Sequence, residues 1–208
     1  MKKDLILVAA DALPQHERML AKAVQGRAEV QFKAAKEVTA ADVRYADIII
    51  GNPRAALLSS CERLKWLQLQ SAGTDDYRAC DALMKKEVLF SNGSGVYGLA
   101  ISEFMLTVTL MMLKKMNAYM RNQKAHAWKK EGQIASIYGS TVLILGLGDI
   151  GSNFGKRIRL LGGRVLACQL AAAAPNECAD EIHAMCDLDD LLPLADVVAV
   201  CLPGNEKT

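Results

Sequence analysis

The sequence predicts an α/β protein made of two consecutive domains, each built on a parallel sheet. Short, continuous apolar runs alternate with helical patterns along the chain, and this alternation restarts near residue 140. Strands that are apolar on both faces and separated by helices are typical of a parallel sheet covered on both sides. We therefore expect one lobe over residues 1–97 and a second domain over residues 98–208.

The first lobe is predicted to alternate five strands with three helices. The strands are expected at 5–10, 28–32, 47–50, 66–70 and 88–91, and the helices at 14–25, 53–60 and 75–84. Pro14 suits the first turn of a helix, because the amide hydrogen that proline lacks would have no partner there. The apolar run 5–10 is brief and flanked by Asp4 and Asp11, which favours a first strand over a signal peptide.

A long apolar helix is predicted from about Leu99 to Arg121, and a charged surface linker over 122–138. Apolar side chains cover most of the circumference of this helix instead of forming one stripe. A helix that is apolar on most sides is buried on most sides. Either two domains or a second subunit must therefore cover it.

The second domain is predicted to begin with a strand at 140–146, a helix at 149–161 and a strand at 164–168, followed by a short helix at 188–194 and a strand at 196–202. Within the first of these helices, an apolar stripe recurs at helical spacing. Its members are Ile150, Phe154, Ile158 and Leu161. Gly162 and Gly163 follow the helix, where a left-handed C-terminal cap is expected.

A glycine-rich turn joins the first strand of this domain to its helix. The turn has the pattern G-x-G-x-x-G and consists of Gly146, Leu147, Gly148, Asp149, Ile150 and Gly151. Gly146 permits a tight turn, Gly148 lets the backbone approach a pyrophosphate, and Gly151 lets helix and strand pack closely. Free amides and the helix dipole then face the phosphate charge. Because the pattern lies between an apolar strand and an amphipathic helix, it predicts a dinucleotide-binding site.

An acidic residue that binds the ribose is expected at the end of the next strand. Here the strand ends in Gln169, which can bond a ribose hydroxyl but does not repel a 2′-phosphate. No lysine or arginine from 169 to 180 favours a phosphate either, so NAD and NADP both stay open. The run Ala171–Ala174 is unusual for an exposed loop and is a candidate for a non-native segment.

Composition and charge argue against several other classes of function. The net charge is only +2 and basic residues are interspersed with acidic ones, so no nucleic-acid-binding face is expected. No stretch approaches the roughly 18 apolar residues that a membrane span needs. The cysteines form no C-x-x-C pair and the histidines add no zinc spacing, so no metal site is predicted. This pattern indicates a reduced, cytoplasmic protein.

Three further segments lie in register around the glycine turn. They are 67–77 (LQLQSAGTDDY), 90–103 (FSNGSGVYGLAISE) and 187–203 (DLDDLLPLADVVAVCLP). Together with the glycine turn they resemble the D-isomer-specific 2-hydroxyacid dehydrogenases over essentially the whole chain, and most of all the glyoxylate/hydroxypyruvate reductase-like members. The resemblance implies a flavodoxin-like substrate lobe followed by the first half of a Rossmann dinucleotide-binding domain.

The resemblance also implies binding residues. The backbone amides of Ser71, Ala72 and Gly73 are expected to hold the carboxylate of a small 2-keto or 2-hydroxy acid, since consecutive free amides bind anions. Leu202 and Pro203 are expected to line the adenine and ribose side of the cofactor, NAD or NADP.

The catalytic residues of the family are an Arg, a Glu and a His, which polarise the carbonyl and pass the proton. The resemblance implies that all three follow Thr208, and His16, His126 and His183 match no motif of the family. We therefore expect no catalytic residue within 1–208 and no dehydrogenase activity from this chain alone.

The leading expectation for function is an oxidoreductase that transfers hydride between NAD(P)H and an acid of the glyoxylate or hydroxypyruvate type. The resemblance implies a homodimer through the helix 99–120. The alternative is a dinucleotide-sensing, corepressor-like interaction protein on the same scaffold, and a third possibility is a nonfunctional fragment. Fold alone does not choose among them.

Overall fold

The computed structural model describes residues 3–84 and 87–204, and its contacts divide the chain into two compact units, Met1–Ser94 and Gly95–Thr208. Each unit has its own parallel sheet and its own hydrophobic core. The last residues of the predicted second domain, 205–208, lie outside the described residues.

The first unit is a five-stranded sheet with helices between the strands. Its elements are β1 (Asp4–Ala9), α1 (Pro14–Val24), β2 (Ala28–Lys33), α2 (Ala40–Arg44), β3 (Ile48–Gly51), β4 (Trp66–Gln68), α3 (Asp81–Met84) and β5 (Leu89–Ser91). All neighbouring strands are parallel, in the order β2-β1-β3-β4-β5. This order is flavodoxin-like, so the predicted class of the lobe is confirmed.

Apolar side chains cover both faces of this sheet, as its continuous apolar strands predict. Leu7, Ile49 and Leu67 are fully buried in one cluster, and Ile6 and Val8 lie in another. Because successive side chains of a strand point to opposite faces, the two clusters lie on the two sides of the sheet.

The helical predictions in the first unit were only partly right. The segments after β3 and β4 form 3₁₀ turns at Ala55–Ser60 and Asp75–Tyr77, with α3 as a short helix after them. The helix α2 was not predicted at all. Asp42 accepts hydrogen bonds from the Thr39 amide at 2.7 Å and from the Thr39 hydroxyl at 2.6 Å. A threonine three residues before an acidic residue is a known signature of a helix start, so the sequence contained this signal.

The second unit is a four-stranded sheet preceded by two helices. Its elements are α4 (Gly98–Leu113), α5 (Met116–Lys124), β6 (Thr141–Leu145), α6 (Asp149–Leu160), β7 (Arg164–Gln169), β8 (Glu181–Ala184), α7 (Leu188–Leu191) and β9 (Val197–Val200). The strands are parallel in the order β8-β7-β6-β9. Counted within the unit this is 3-2-1-4, the order with which a Rossmann sheet begins. The predicted Rossmann arrangement is confirmed.

The helix α6 packs and ends largely as its sequence predicts. Phe154 and Ile158 are completely buried, whereas Leu161 lies past the last helical residue and is 44% exposed. Gly162 has a φ of +78°, and the amide of Gly163 donates to the carbonyl of Ile158 at 3.1 Å. This is the left-handed cap that the two glycines predict.

The predicted long helix 99–121 is in fact two helices, α4 and α5, because Lys115 between them has a left-handed φ of 55°. The Nζ atoms of Lys114 and Lys115 donate to the carbonyls of Ala135 and Glu131, each at 2.7 Å. Both lysine side chains therefore reach the segment that follows α5. Lysine is a good helix former, so the apolar pattern did not reveal this break.

The helix α4 is buried on one side within its own unit. Met105, Leu106 and Leu110 pack against the core of the second sheet. On other faces, Leu99, Phe104 and Met112 are 59%, 68% and 61% exposed. Among the described residues, no helix is both long enough and apolar enough to cross a membrane.

Candidate functional site

The glycine turn lies at the carboxyl edge of the second sheet, between β6 and α6. The amide of Gly146 donates to the carbonyl of Cys168 in β7 at 2.8 Å. Gly146 has a φ of +94°, and a Cβ at this position would lie 2.9 Å from the carbonyl oxygen of Cys201, just after β9. The positive φ and the close Cys201 carbonyl both require glycine, so the turn can lie this close to the neighbouring strands only with glycine at 146.

Gly151 and Gly148 have opposite roles in this turn. A Cβ at Gly151 would overlap the Gly146 carbonyl, so the start of α6 can approach the turn only without a side chain there. A Cβ at Gly148 would meet no atom within 4 Å, and its φ of −70° and ψ of −165° are accessible to any residue. The fold does not need glycine at 148, so the open space at this backbone fits a ligand.

The first turn of α6 offers its amides to an anion. Gly148 is the N-cap, and within the described part of the chain no side chain caps this helix. The Asp149 carboxylate is bonded elsewhere, because it accepts from the Gly98 amide at 2.8 Å and from Nδ2 of Asn153 at 3.2 Å. The free amides and the positive end of the helix dipole suit the pyrophosphate of a dinucleotide.

The other predicted cofactor residues lie around the same turn. Leu147 packs against the core of the unit, and Ile150 is half-buried in the first turn of α6. Gln169 is the last residue of β7, and Leu202 and Pro203 follow β9. The strands β7 and β9 both pair with β6. Because carboxyl ends of parallel strands meet at one edge, these residues border the crevice where dinucleotides bind in this fold.

The second predicted turn, Ser71-Ala72-Gly73, follows β4 at the carboxyl edge of the first sheet. The Ser71 amide donates to Oδ1 of Asn52 at 3.3 Å, so it is already engaged. Among the residues that the structure describes, the amides of Ala72 and Gly73 have no acceptor, and both residues are exposed. Two adjacent unpaired amides at the surface suit an anionic group.

Two asparagines that the sequence analysis missed hold this turn. Nδ2 of Asn52 donates to Oγ of Ser71 at 2.8 Å, and Nδ2 of Asn92 donates to the Ala72 carbonyl at 2.7 Å. Asn52 follows β3 and Asn92 follows β5, and both strands pair with β4. A polar residue shortly after each of the predicted strands 47–50 and 88–91 was a signal in the sequence, but only the strand order shows that both strands flank β4.

A buried tyrosine supports the segment beside Asn52. The Tyr77 hydroxyl donates to the carbonyl of Pro53 at 2.5 Å, and the Tyr77 ring lies 6.1 Å from the ring of Phe90. Burial, with a smaller effect of the nearby Asp76 charge, raises the pKa of Tyr77 to about 12. The hydroxyl therefore stays protonated and keeps donating at ordinary pH.

The three histidines lie elsewhere in the hydrogen-bond network. His16 and His126 are exposed, and Nε2 of half-buried His183 lies 3.0 Å from the carboxylate of Glu181. Within the described ranges, no hydrogen bond joins any of them to either turn.

The sequence model for the NAD binding domain of the D-isomer specific 2-hydroxyacid dehydrogenases matches residues 106–208. Residues 106–208 therefore match the D-isomer specific 2-hydroxyacid dehydrogenase family, and the resemblance inferred from the motifs of the chain is confirmed. Its second unit contains the NAD-binding domain of that family, so the fit of the glycine turn to a dinucleotide has an independent basis.

Individual relatives share the fold and differ in substrate. D-3-phosphoglycerate dehydrogenase of Mycobacterium bovis is 29% identical over 155 residues, which cover 74% of this chain and 29% of that protein. A family member from Aeromonas salmonicida has a TM-score of 0.84 at 22% identity, covering 99% of this chain and 66% of its own. The NADPH-dependent glyoxylate/hydroxypyruvate reductase of Sinorhizobium meliloti, solved with NADP and sulfate, has a TM-score of 0.76 at 22% identity, covering 99% and 64%. The chain thus spans under a third of the first relative and about two thirds of the two solved proteins.

Proposed function

We propose that the protein acts as an NAD(P)-dependent 2-hydroxyacid dehydrogenase on a small 2-keto or 2-hydroxy acid of the glyoxylate or hydroxypyruvate type. The main observation behind this proposal is the open space at the backbone of Gly148. The fold requires glycine at the flanking positions Gly146 and Gly151 but not at Gly148 itself. The likeness to the Sinorhizobium meliloti reductase supports the substrate class.

On the cofactor side, the residues of this chain bind and orient. The amides at the start of α6 would hold the pyrophosphate, and Gly148 would let it approach the backbone. Gln169, Leu202 and Pro203 would border the ribose and adenine. The bound cofactor supplies the hydride chemistry, while the protein supplies position and charge.

On the substrate side, the amides of Ala72 and Gly73 would hold the carboxylate. A 2-keto acid is an anion at neutral pH, and hydrogen bonds to a charged group are roughly twice as strong as neutral ones. Holding the carboxylate fixes the neighbouring carbonyl carbon, which is the atom that accepts hydride. The Ser71 amide contributes less because it already donates to Asn52.

The experiment that tests the cofactor site is the substitution Gly148→Val in the whole protein. A valine side chain would fill the space where the pyrophosphate belongs, so we expect binding of NADH and NADPH to weaken at least about 100-fold, which corresponds to about 2.7 kcal/mol. Fluorescence titration measures both affinities.

Thermal unfolding provides the control for this variant. Because a Cβ at Gly148 meets no neighbouring atom, the melting temperature is expected to stay near that of the wild type. Unchanged dinucleotide affinity in a folded Gly148→Val protein would show that the cofactor binds elsewhere.

We further propose that a second copy of the chain covers the exposed face of α4, giving a homodimer. Large apolar surfaces are rare on monomers, and α4 exposes the large apolar side chains of Leu99, Phe104 and Met112. Light scattering should give twice the mass of one chain, and Phe104→Glu should give a single-chain mass. Leu160→Glu, at a still more exposed apolar residue on α6, is the control and should stay dimeric. A wild-type protein that is monomeric at micromolar concentration would contradict the proposal.

A further inference from the structure

We infer that Asn52 and Asn92 are positioning residues for the carboxylate turn and that they set the preference of the protein for anionic over neutral keto substrates. This inference rests on the proposed function of the Ser71-Ala72-Gly73 turn. It assigns a role to two side chains, each bonded to the turn from a neighbouring strand end.

Asn52 fixes the start of the turn with three hydrogen bonds. Its Oδ1 accepts from the amides of Gln70 at 2.8 Å and Ser71 at 3.3 Å, and its Nδ2 donates to Oγ of Ser71 at 2.8 Å. Backbone amides can only donate, so the two bonds to them determine which end of the side-chain amide is the oxygen. The Ser71 hydroxyl in turn donates to the Gly73 carbonyl at 2.8 Å.

The segment after β5 fixes the peptide planes that contain the two free amides. The Gly93 amide donates to the Ser71 carbonyl at 2.9 Å, and Nδ2 of Asn92 donates to the Ala72 carbonyl at 2.7 Å. In a trans peptide the carbonyl and the following amide point in opposite directions. Because both carbonyls are held toward residues 92–93, the amides of Ala72 and Gly73 are turned away from them.

This arrangement favours a carboxylate over a neutral carboxamide. A carboxylate offers two acceptor oxygens to the two amides, whereas a carboxamide offers one oxygen and a nitrogen that only donates. The charge of the carboxylate strengthens each bond further. The preference depends on the direction of both amides. Asn92 holds the peptide plane of the Gly73 amide directly. Asn52 anchors Ser71, whose carbonyl shares a peptide plane with the Ala72 amide.

The test compares glyoxylate with the neutral isostere glyoxylamide as substrates of the whole protein, in steady-state kinetics with saturating cofactor. The wild type is expected to prefer glyoxylate. Asn52→Ala and Asn92→Ala should each lower kcat/KM for glyoxylate about tenfold, mainly through KM, while the value for glyoxylamide changes less than about twofold.

Tyr77→Phe is the matched control. It removes the buried hydrogen bond to Pro53, next to Asn52, but leaves every bond of the turn in place. It should therefore change both substrates by the same factor and leave their ratio at the wild-type value. A changed ratio in this variant would mean that general loosening of the lobe sets the preference, which would overturn the inference.

Three other results decide the matter. An equal loss for both substrates in the asparagine variants would reduce their role to structural support and overturn the inference, with the proposed function intact. A wild type without preference for glyoxylate would overturn the carboxylate turn and the inference together. If the alanine variants do not fold, Asn52→Asp keeps an acceptor for the two amides and adds a negative charge. It should impair glyoxylate alone, and an unchanged ratio would overturn the inference.

Discussion

The glycine turn of the second unit and the Ser71–Gly73 turn of the first both follow strands of a parallel sheet, and both expose backbone amides. They are held in different ways. At Gly146 and Gly151 the backbone lies so close to other backbone that no Cβ fits. The Ser71–Gly73 turn is instead held by the side chains of Asn52 and Asn92, which lie 19 and 20 residues away from their partners.

This difference predicts where each turn is vulnerable. The glycine turn should fail when a side chain is added to the turn itself. The Ser71–Gly73 turn should fail when distant polar side chains are removed. The comparison also separates anion binding from ligand selection. Backbone amides alone bind any phosphate or carboxylate. The surrounding side chains determine the direction of those amides and the charge near the ligand.

The largest expected effect is the loss of the second unit in Gly151→Val. The added side chain would collide with the Gly146 carbonyl, which is backbone and does not move away cheaply. We expect destabilisation of roughly 3 kcal/mol or more, at the upper end of overpacking effects. Urea unfolding followed by hydrogen exchange of the β6 amides measures it.

Gly148→Val is the matched control, because it adds the same side chain two residues after Gly146 into open space. Its unfolding midpoint should equal that of the wild type. If both variants unfolded at the same urea concentration, backbone proximity would not be what distinguishes the two turns.

Features that depend only on residues adjacent in the sequence could be predicted from the sequence. The strand, turn and helix around Gly146, Gly148 and Gly151 were predicted from sequence, since these residues are contiguous. The strands of both sheets were predicted from apolar runs, except β8, where Ile182 is the only large apolar residue and neighbours are Glu181 and His183. An edge strand of this kind lacks the continuous apolar run of a buried parallel strand.

Features that depend on distant contacts escaped the sequence analysis. The break after α4 lies in a stretch of good helix formers, at Lys115, whose side chain donates to a carbonyl 16 residues later. Asn52 and Asn92 act across strands whose adjacency becomes known only with the strand order. The Ser71–Gly73 turn could therefore be located from sequence, but not the side chains that hold it.

The next largest expected effect is a loss of stability of the first unit at acid pH. Burial alone would raise the pKa of Asp42, but hydrogen bonds from Lys33 and Thr39 lower it to about 2. A carboxylate with a lowered pKa stabilises the fold fully above its unfolded pKa near 4, and the contribution disappears as pH falls toward 2. Asp47 is shifted in the same direction, against the effect of its burial, by the Leu5 amide and by Arg63 and Lys65. We expect the first unit to lose about 2 kcal/mol from Asp42 between pH 5 and pH 2.

Urea unfolding at both pH values tests this, with Trp66 as the reporter of the first unit in a Trp128→Phe background. Asp42→Asn should be less stable than the parent at pH 5 and equal to it at pH 2. In the second unit, Arg164 and then His183 lower the pKa of Glu181, but this group is exposed and should add little. A first unit with the same stability at both pH values would contradict the assignment.

The smallest expected effect sharpens the distinction between binding and selection at the cofactor itself. In the proposed site the amides at the start of α6 would face the pyrophosphate. NAD and NADP share this group, so we expect a side chain near the ribose to choose between them. Gln169 ends β7, where an acidic residue would accept from the ribose 2′-hydroxyl and repel a 2′-phosphate. Gln169→Asp should therefore raise the ratio of NADH to NADPH affinity about tenfold, or about 1.4 kcal/mol, measured by fluorescence titration of both cofactors.

Gln31→Asp is the control for this variant. It changes the net charge equally from an exposed position on β2 in the first unit, and it should leave the ratio unchanged. An unchanged ratio in Gln169→Asp would mean that another loop contacts the ribose, and that the second strand does not select the cofactor.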